Sequence, residues 1–152
     1  MDWRIIRSEE LGIMSDNILL DKSKAFALRI IKMYKYLTEE KKEYILSKQV
    51  LRSGTSIGAN AREASRGQSK ADFYAKLYIS LKEADETQYW LELLFESGYL
   101  PEKEYKSIYE DCEELIRILV SITKNQKKNS WKCMKEQCKK CYTYIKLGTS
   151  LA

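Results

Sequence analysis

Apolar side chains recur every three or four residues in four separate stretches of the chain, which is the spacing that one face of an α-helix produces. The first stretch spans residues 21–38, with Asp21 or Ser23 as its predicted N-terminal cap, and the second spans residues 43–66. The third ends at Gly98, and the fourth follows Pro101 and ends near residue 125. The apolar positions are Phe26, Ile30, Met33 and Leu37; Leu46, Val50, Ile57, Ala61 and Ala64; Phe73, Leu77, Leu81, Ala84, Leu91 and Phe95; and Tyr105, Ile108, Cys112, Leu115, Leu119 and Ile122.

Only a few residues join each predicted helix to the next, and short connections place consecutive helices side by side and antiparallel. We predict that Gly67 ends the second helix in a left-handed conformation and that Ser69 and Asp72 form a capping box for the third. The expected fold is all-α, an antiparallel up-down-up-down four-helix bundle over residues 21–125. Residues 1–20 form a predicted N-terminal segment, and residues 126–152 form a predicted tail.

The second helix carries an unusual row of small residues that includes Gly54 and Gly58. Each glycine inside a helix costs up to about 1 kcal/mol relative to alanine, so two of them four residues apart need a reason. Close approach of a neighbouring helix is the interpretation we favour, although a strand or loop over residues 53–60 is an alternative. Polar residues also lie beside the core rows. We hypothesise that Asn60 faces Thr87 or Glu83 and fixes the register of the second and third helices.

The composition is that of a soluble globular protein with one core: 152 residues, 44% hydrophobic and 32% charged. No run approaches the roughly 18–20 apolar residues of a membrane span, and no secretory signal is evident at the N-terminus. We therefore predict a cytoplasmic chain without a membrane partner. A single proline and six glycines permit long, uninterrupted helices.

The net charge of +5 is concentrated at one end of the chain. Residues 126–152 contain seven lysines and one acidic residue, whereas the remainder is close to neutral. A basic segment favours phosphate-rich partners, although it also simply keeps a chain soluble. Cys133, Cys138 and Cys141 lie among these lysines. Their spacing permits a zinc site with a fourth ligand from elsewhere, but we interpret them as exposed thiols and predict no metal.

The chain contains no histidine, so the commonest general base and metal ligand is absent. The di-iron site of ferritin-like bundles is excluded, because it needs Glu-x-x-His on two helices. Glu63, Glu83 and Glu86 are candidates for a carboxylate cluster, but ion pairing with neighbouring lysines and arginines is the simpler interpretation. We predict that the protein is not an enzyme and binds no cofactor.

Residues 53–60 (SGTSIGAN), followed by Glu63-Ala64, Asp72-Phe73, Lys82-Glu83-Ala84 and Glu86-Thr87, resemble the 23S rRNA-intervening-sequence family, also called the S23 ribosomal protein family. The resemblance covers about residues 21–124. It implies a four-helix bundle, a ring-shaped homopentamer and no established enzymatic activity. The motif positions, which we expect to be structural, are Ser53, Gly54, Ser56, Gly58, Asn60, Glu63, Glu83 and Thr87.

Several large apolar side chains lie off the predicted core rows, which independently favours an oligomer. In the first helix these are Leu28, Ile31, Tyr34 and Tyr36, and in the third they are Tyr74, Tyr78, Tyr89 and Trp90. Either the core is wide or a second face is buried in an oligomer, and we favour the oligomer. The leading hypothesis is a non-catalytic, homo-oligomeric scaffold that associates with RNA or a ribonucleoprotein. The alternative is a scaffold for protein partners with no nucleic-acid role. The predicted phosphate contacts are Arg52, Arg62, Arg66, Lys70, Lys127, Lys128, Lys139 and Lys140.

Overall fold

The computed structural model describes the backbone of residues 3–124 and the side chains of residues 18–124. It contains four helices: α1 (Trp3–Glu39), α2 (Leu46–Ala64), α3 (Lys70–Glu96) and α4 (102–124). The described residues contain no strand, so the all-α prediction is confirmed and the strand alternative for residues 53–60 is wrong. The predicted tail, residues 126–152, lies outside the described part of the chain.

Helix α1 begins far earlier than the sequence pattern predicted, at Trp3 rather than near residue 21. Asp21 and Ser23 therefore lie inside the helix and do not cap it. The Ser23 hydroxyl instead donates to the Leu20 carbonyl at 3.1 Å. Buried Leu19 and Ser23 continue the core row toward the N-terminus, and this continuation is the signal that the prediction missed.

A carboxylate caps the start of α2. Chain reversal after α1 places Lys42 in the left-handed region, with φ of +55°. The Glu43 side chain then accepts hydrogen bonds from the backbone N–H groups of Leu46 at 2.8 Å, Ser47 at 2.6 Å and Ile45 at 2.9 Å. Burial alone would raise the pKa of Glu43, but these three donors outweigh it and lower the pKa below its usual value. Glu43 therefore satisfies donors that would otherwise be unpaired at the helix start.

Two glycines differ in their role at the helix ends. Gly67 does not adopt a left-handed conformation, so that prediction is wrong. A Cβ atom at Gly67 would lie 3.0 Å from the Phe73 nitrogen, so crowding accounts for the glycine. The left-handed glycine is Gly98, with φ of +77°, after the end of α3. The Ser69 cap is confirmed, because its hydroxyl accepts from the Asp72 N–H at 3.1 Å, whereas the Asp72 carboxylate accepts from the Gln68 N–H.

The core contains members of every predicted apolar row, together with Leu19, Leu94 and Leu100, whereas the predicted Phe73, Leu81 and Phe95 are only partly buried. Fully or almost fully buried members include Phe26 and Ile30 from α1, Ile57 from α2 and Leu91 from α3. Helix α4 contributes Ile108, Cys112, Leu115 and Leu119 to the same cluster. The three-and-four spacing therefore identified the buried face of every helix, which is what a hydrophobic core requires of amphipathic segments.

Helices α1 and α2 meet along the small-residue row, so the predicted close approach is confirmed. A Cβ atom at Gly54 would lie 2.8 Å from Cγ1 of Ile30, and one at Gly58 would lie 3.3 Å from the Ser23 hydroxyl. Neither glycine adopts an unusual backbone conformation. Their small size is therefore needed because α1 occupies the space that a side chain would fill.

Helices α2 and α3 are joined by buried hydroxyl groups, and Asn60 does not take part. The Thr87 and Ser53 hydroxyls lie 2.9 Å apart, and the Ser80 hydroxyl donates to the Ile57 carbonyl at 2.8 Å. The Asn60 amide donates to the Ser56 carbonyl of its own helix at 2.8 Å. The hypothesis that Asn60 faces Thr87 or Glu83 is therefore wrong, because Ser53 is the α2 residue that contacts Thr87.

Helix α4 contacts both α1 and α3. Its Glu114 accepts from Lys22 at 2.9 Å and its Asp111 pairs with Arg29. On the other side, the Tyr109 hydroxyl donates to Glu92 at 2.8 Å. No helix in the described range is both long and apolar enough to cross a membrane.

Candidate nucleic-acid interface

The charges of the described side chains divide between the two halves of the fold. Residues 18–66, which comprise most of α1 and all of α2, contain eleven basic and five acidic side chains, a net charge of +6. Residues 67–124, which comprise α3 and α4, contain seven basic and twelve acidic side chains, a net charge of −5. The net charge of residues 18–124 is therefore nearly neutral, but residues 18–66 are basic and would attract phosphate groups.

Three cations of the basic half line one groove between α1 and α2. The groove has a volume of about 540 Å³, and its cations are Lys24, Arg62 and Arg66. Its apolar lining comes from small or medium side chains: Leu20, Ala27, Gly58 and Ala59. The close packing of α1 on Gly58 therefore brings a lysine of one helix near two arginines of the other.

The other polar groups of the groove are already hydrogen-bonded. The Ser23 and Thr55 hydroxyls donate to carbonyl groups of their own helices, at 3.1 and 2.7 Å. Glu63 is the acidic residue in the lining, and Lys76 binds its carboxylate at 2.6 Å. Lys76 therefore partly neutralises the carboxylate that would otherwise oppose an anion.

The structure separates the predicted phosphate contacts into groups. Arg62 and Arg66 lie together in the groove, and exposed Lys70 lies at the start of α3. Arg52 lies apart and pairs with Glu86 of α3. Lys127, Lys128, Lys139 and Lys140 lie outside the described residues. Sequence reasoning missed Lys24, because the side of α1 that faces α2 became clear only from the contacts of Gly54 and Gly58.

A model of the family described as 23S rRNA-intervening sequence protein matches residues 15–121. The chain belongs to this family. A crystal structure of a protein of unknown function from the S23 ribosomal protein family of Bacteroides thetaiotaomicron is 55% identical. The alignment covers 72% of this chain and 98% of that protein, with a TM-score of 0.72. A search of curated proteins gave no match. The predicted family resemblance is thus confirmed.

The family motif lies on surfaces between helices rather than around one pocket. Gly54 and Gly58 contact α1, and Ser53 contacts Thr87 of α3. Ser56 accepts the Asn60 hydrogen bond through its carbonyl, and Glu63 pairs with Lys76. The structural role of the motif positions stays a prediction.

The carboxylates considered as a cluster are separated by their partners. Glu63 binds Lys76, and Glu86 binds Arg52 and accepts from the Trp90 indole N–H at 3.0 Å. Glu83 is half-buried, and its Oε2 atom is buried without a hydrogen-bond partner among the described residues. Within residues 18–124, no three acidic or cysteine side chains form a group that could hold a metal ion.

Burial raises the pKa of two further titratable groups. Burial, with help from the nearby charges of Asp85, Glu113 and Asp111, raises the pKa of the Cys112 thiol to about 12. Burial and the hydrogen bond to Glu92 raise the pKa of Tyr109 to about 12. Cys112 therefore behaves as a core residue rather than a nucleophile at neutral pH.

A second groove lies between α1 and the start of α4 and has a different character. Its volume is about 450 Å³, and apolar side chains supply much of its lining: Met33, Tyr36, Leu100, Pro101 and Ile108. Arg29, Lys32 and Glu104 complete the lining. Its mixed charge and apolar floor suit a protein side chain better than a phosphate backbone.

Proposed function

We propose that this family member is a non-catalytic, homo-oligomeric helical scaffold of the cytoplasm that associates with RNA or a ribonucleoprotein through basic residues. The observation that carries this proposal is the meeting of Lys24, Arg62 and Arg66 at the groove between α1 and α2. The groove belongs to the half with a net charge of +6. Opposite charge on the other half gives a nucleic acid a preferred side from which to approach.

An antiparallel up-down-up-down bundle accounts for the contacts between all neighbouring helices. In that arrangement the end of α2, the start of α3 and the end of α4 lie at one end of the bundle. Arg66, Lys70 and Lys124 belong to these three positions. The basic tail that follows Lys124 therefore begins on the same end as the groove cations, so both can contact one RNA.

Binding of this kind would be strong at low salt and poor in sequence discrimination. Arginine and lysine contacts to phosphates release counterions, and each contact changes the salt dependence of binding by roughly 0.7–0.9 in log–log slope. Phosphate contacts position a protein but do not read bases. We therefore expect several structured RNAs to bind with similar affinity.

Fluorescence anisotropy with a labelled structured RNA across a salt series tests the proposal. We would compare the full chain, a 1–125 truncation, and an Arg62→Ala/Arg66→Ala variant. Binding by the truncation with a steep salt slope would assign contacts to the bundle. Loss of the two arginines should lower that slope by about 1.5.

A Lys41→Ala/Lys48→Ala variant provides the matched control. It removes two exposed positive charges from the same half of the chain, but at residues outside the groove lining. If both double variants weaken binding equally, net charge rather than the groove is responsible. Binding that disappears with residues 126–152 would make RNA association a property of the tail alone.

A scaffold for protein partners without an RNA role is the second candidate, and the apolar groove between α1 and α4 favours it. Tyr44 and Ile45, which are 51% and 77% exposed, add apolar surface at the connection between α1 and α2. Absence of RNA binding by the full chain at low salt would overturn the first proposal and leave this alternative.

A further inference from the structure

The groove between α1 and α2 changes along its length from small to basic side chains. Thr55, Ala59, Arg62 and Arg66 of α2 all line it, and their spacing of four, three and four residues places them in one row on the helix. A helix rises about 1.5 Å per residue, so Arg62 and Arg66 lie about 5 and 10 Å beyond Ala59 along the axis. The groove therefore has a small-residue part and a basic part.

Helix α1 completes the small-residue part with aliphatic side chains. Leu20 and Ala27 are half-buried and line the groove from the α1 side. The helices lie close together here, because a Cβ atom at Gly58 would lie 3.3 Å from the Ser23 hydroxyl. The groove volume of about 540 Å³ falls within the range of about 300–1,000 Å³ that ligand sites occupy. The floor is therefore apolar and large enough to cover one face of a planar group.

The cations of the groove are free to bind an anion. Within residues 18–124, no acidic side chain forms an ion pair with Lys24, Arg62 or Arg66. The one carboxylate of the lining, that of Glu63, is bound by Lys76 of α3. Arginine binds phosphate through parallel hydrogen bonds, and its planar guanidinium also stacks on nucleobases.

An unpaired nucleotide matches both parts of the groove. A phosphate group alone would leave the aliphatic floor uncovered. In an RNA duplex the faces of the bases are stacked on one another, whereas unpaired bases expose their faces to a protein. One unpaired nucleotide therefore supplies a planar base for the floor and a phosphate for the cations, within the distance that separates Ala59 from Arg62 and Arg66.

We propose that this groove binds an unpaired nucleotide of an RNA strand. The base lies on the floor formed by Leu20, Ala27 and Ala59, and the phosphate binds Arg62 and Arg66. The inference rests on the proposed function, and it names the part of the RNA that the groove recognises.

The polar groups of the floor offer little discrimination between bases. The Thr55 hydroxyl donates to the Leu51 carbonyl at 2.7 Å, and the Ser23 hydroxyl donates to the Leu20 carbonyl at 3.1 Å. Each hydroxyl has a single proton, so neither has one left for a base. The groove therefore selects an unpaired nucleotide by the face of its base, and RNAs of different sequence can bind if they contain one.

A substitution that fills the floor tests the proposal without changing the charge. Ala59→Gln places a longer, neutral side chain in the groove, and Ala59 is exposed, so the interior stays intact. Fluorescence anisotropy of the full chain would compare a labelled RNA strand of about 12 nucleotides, within the range of single-strand site sizes, with the duplex of the same sequence. We expect Ala59→Gln to weaken binding of the strand at least about fivefold, the low end for loss of a stacked base, and binding of the duplex less than about twofold. The salt slope should not change, because the cations remain.

Ala25→Gln is the matched control, because Ala25 is an exposed residue of α1 outside the groove lining. Ala59→Ser keeps the groove open, and both variants should bind the strand as the unsubstituted chain does. The proposal is overturned if Ala25→Gln weakens binding as much as Ala59→Gln, or if Ala59→Gln weakens binding of strand and duplex equally. Circular dichroism checks that the helix content of each variant is unchanged.

Competition with adenosine monophosphate distinguishes an RNA strand from a free nucleotide. A single nucleotide cannot contact the cations outside the groove, so it should displace the labelled strand only at concentrations far above those of unlabelled strand. If it competes as well as the strand, the groove is a site for free nucleotides and the proposal is overturned. Salt-dependent binding of strand and duplex that Ala59→Gln leaves unchanged would overturn this inference but not the RNA proposal. Absence of binding to either RNA would overturn both.

Discussion

Helix α2 packs against α1 on one side and α3 on the other, and the two contacts are made in different ways. On the α1 side, the absence of side chains at Gly54 and Gly58 lets the helices approach closely. On the α3 side, the hydroxyls of Ser53, Ser80 and Thr87 form hydrogen bonds in a buried environment. The contact with α1 depends on the small volume of the glycines, and the contact with α3 depends on the geometry of hydrogen bonds.

The difference explains why the motif over residues 53–60 alternates as it does. Ser53 and Gly54 are adjacent in sequence but face different neighbours, and Ile57 and Gly58 repeat this pairing one turn later. Each turn of α2 thus offers one residue to α3 and one to α1. Substitutions in the two rows should therefore lower the stability of the fold for different physical reasons.

The largest expected effect is at the glycine row. Gly54→Val should lower the free energy of unfolding by about 3 kcal/mol, because even its Cβ would lie 2.8 Å from a buried Ile30 atom. Urea denaturation measures the change. Gly58→Ala is the matched control and should change stability by less than about 1 kcal/mol, since its nearest contact is 3.3 Å and alanine favours the helix.

Ile30→Ala in the Gly54→Val background tests whether steric overlap is the cause. The smaller side chain removes the atoms that valine would meet, so the two substitutions together should cost less than the sum of their separate effects. Additive effects would show that Gly54 is needed for some reason other than the proximity of α1.

A smaller effect is expected at the hydroxyl contact. A hydroxyl has one proton, so Thr87 donates to the Glu83 carbonyl at 2.7 Å and accepts from Ser53. Thr87→Val keeps the shape but removes the acceptor, which should cost about 1–2 kcal/mol in chemical denaturation. Ser53→Ala added to Thr87→Val should cost little more, because no unpaired donor remains. Full additivity would argue against the hydrogen bond.

Periodicity predicts four helices and most of their buried positions, because each core row repeats over several turns, but it places the start of α1 near residue 21 rather than at Trp3. It could not orient one helix about its axis relative to the next. For that reason Asn60, at the edge of a row, was assigned a partner on α3 although it bonds within α2. For the same reason Lys24 was missed, whereas Arg62 and Arg66 were found as neighbours on one helix.

Chain reversals were the other region where sequence reasoning was incomplete. The periodicity places Glu43 at the start of the second helix, but its side chain accepts three backbone hydrogen bonds just before that helix begins. Gly67 and Gly98 look equivalent in sequence, yet only Gly98 has a positive φ. A helix cap and a left-handed glycine depend on local backbone geometry, which the spacing of residue types does not specify.

Glu43 should contribute less than the Thr87 contact, and its contribution should depend on pH. Glu43→Gln should cost about 1 kcal/mol at neutral pH, as for loss of a helix cap. The folded-state pKa is lowered, so the stabilisation is present above the ordinary value of 4.5 and is lost as pH falls through the folded value. Thermal melts between pH 7 and pH 3 should show the difference between wild type and variant shrinking as the pH falls. A constant difference would mean that the carboxylate charge contributes nothing.

The smallest expected effect is at Arg52, which joins α2 to α3 on the surface. Its side chain is 56% exposed and that of its partner Glu86 is 33% exposed, so Arg52→Ala should change stability by about 0.5 kcal/mol or less. Arg52 also lies outside the groove of Lys24, Arg62 and Arg66. Its removal should therefore change the salt slope of RNA binding less than removal of Arg62 alone. If Arg52→Ala and Arg62→Ala change the salt slope equally, the RNA also contacts the surface of α2 near α3. The groove would then be only part of the interface.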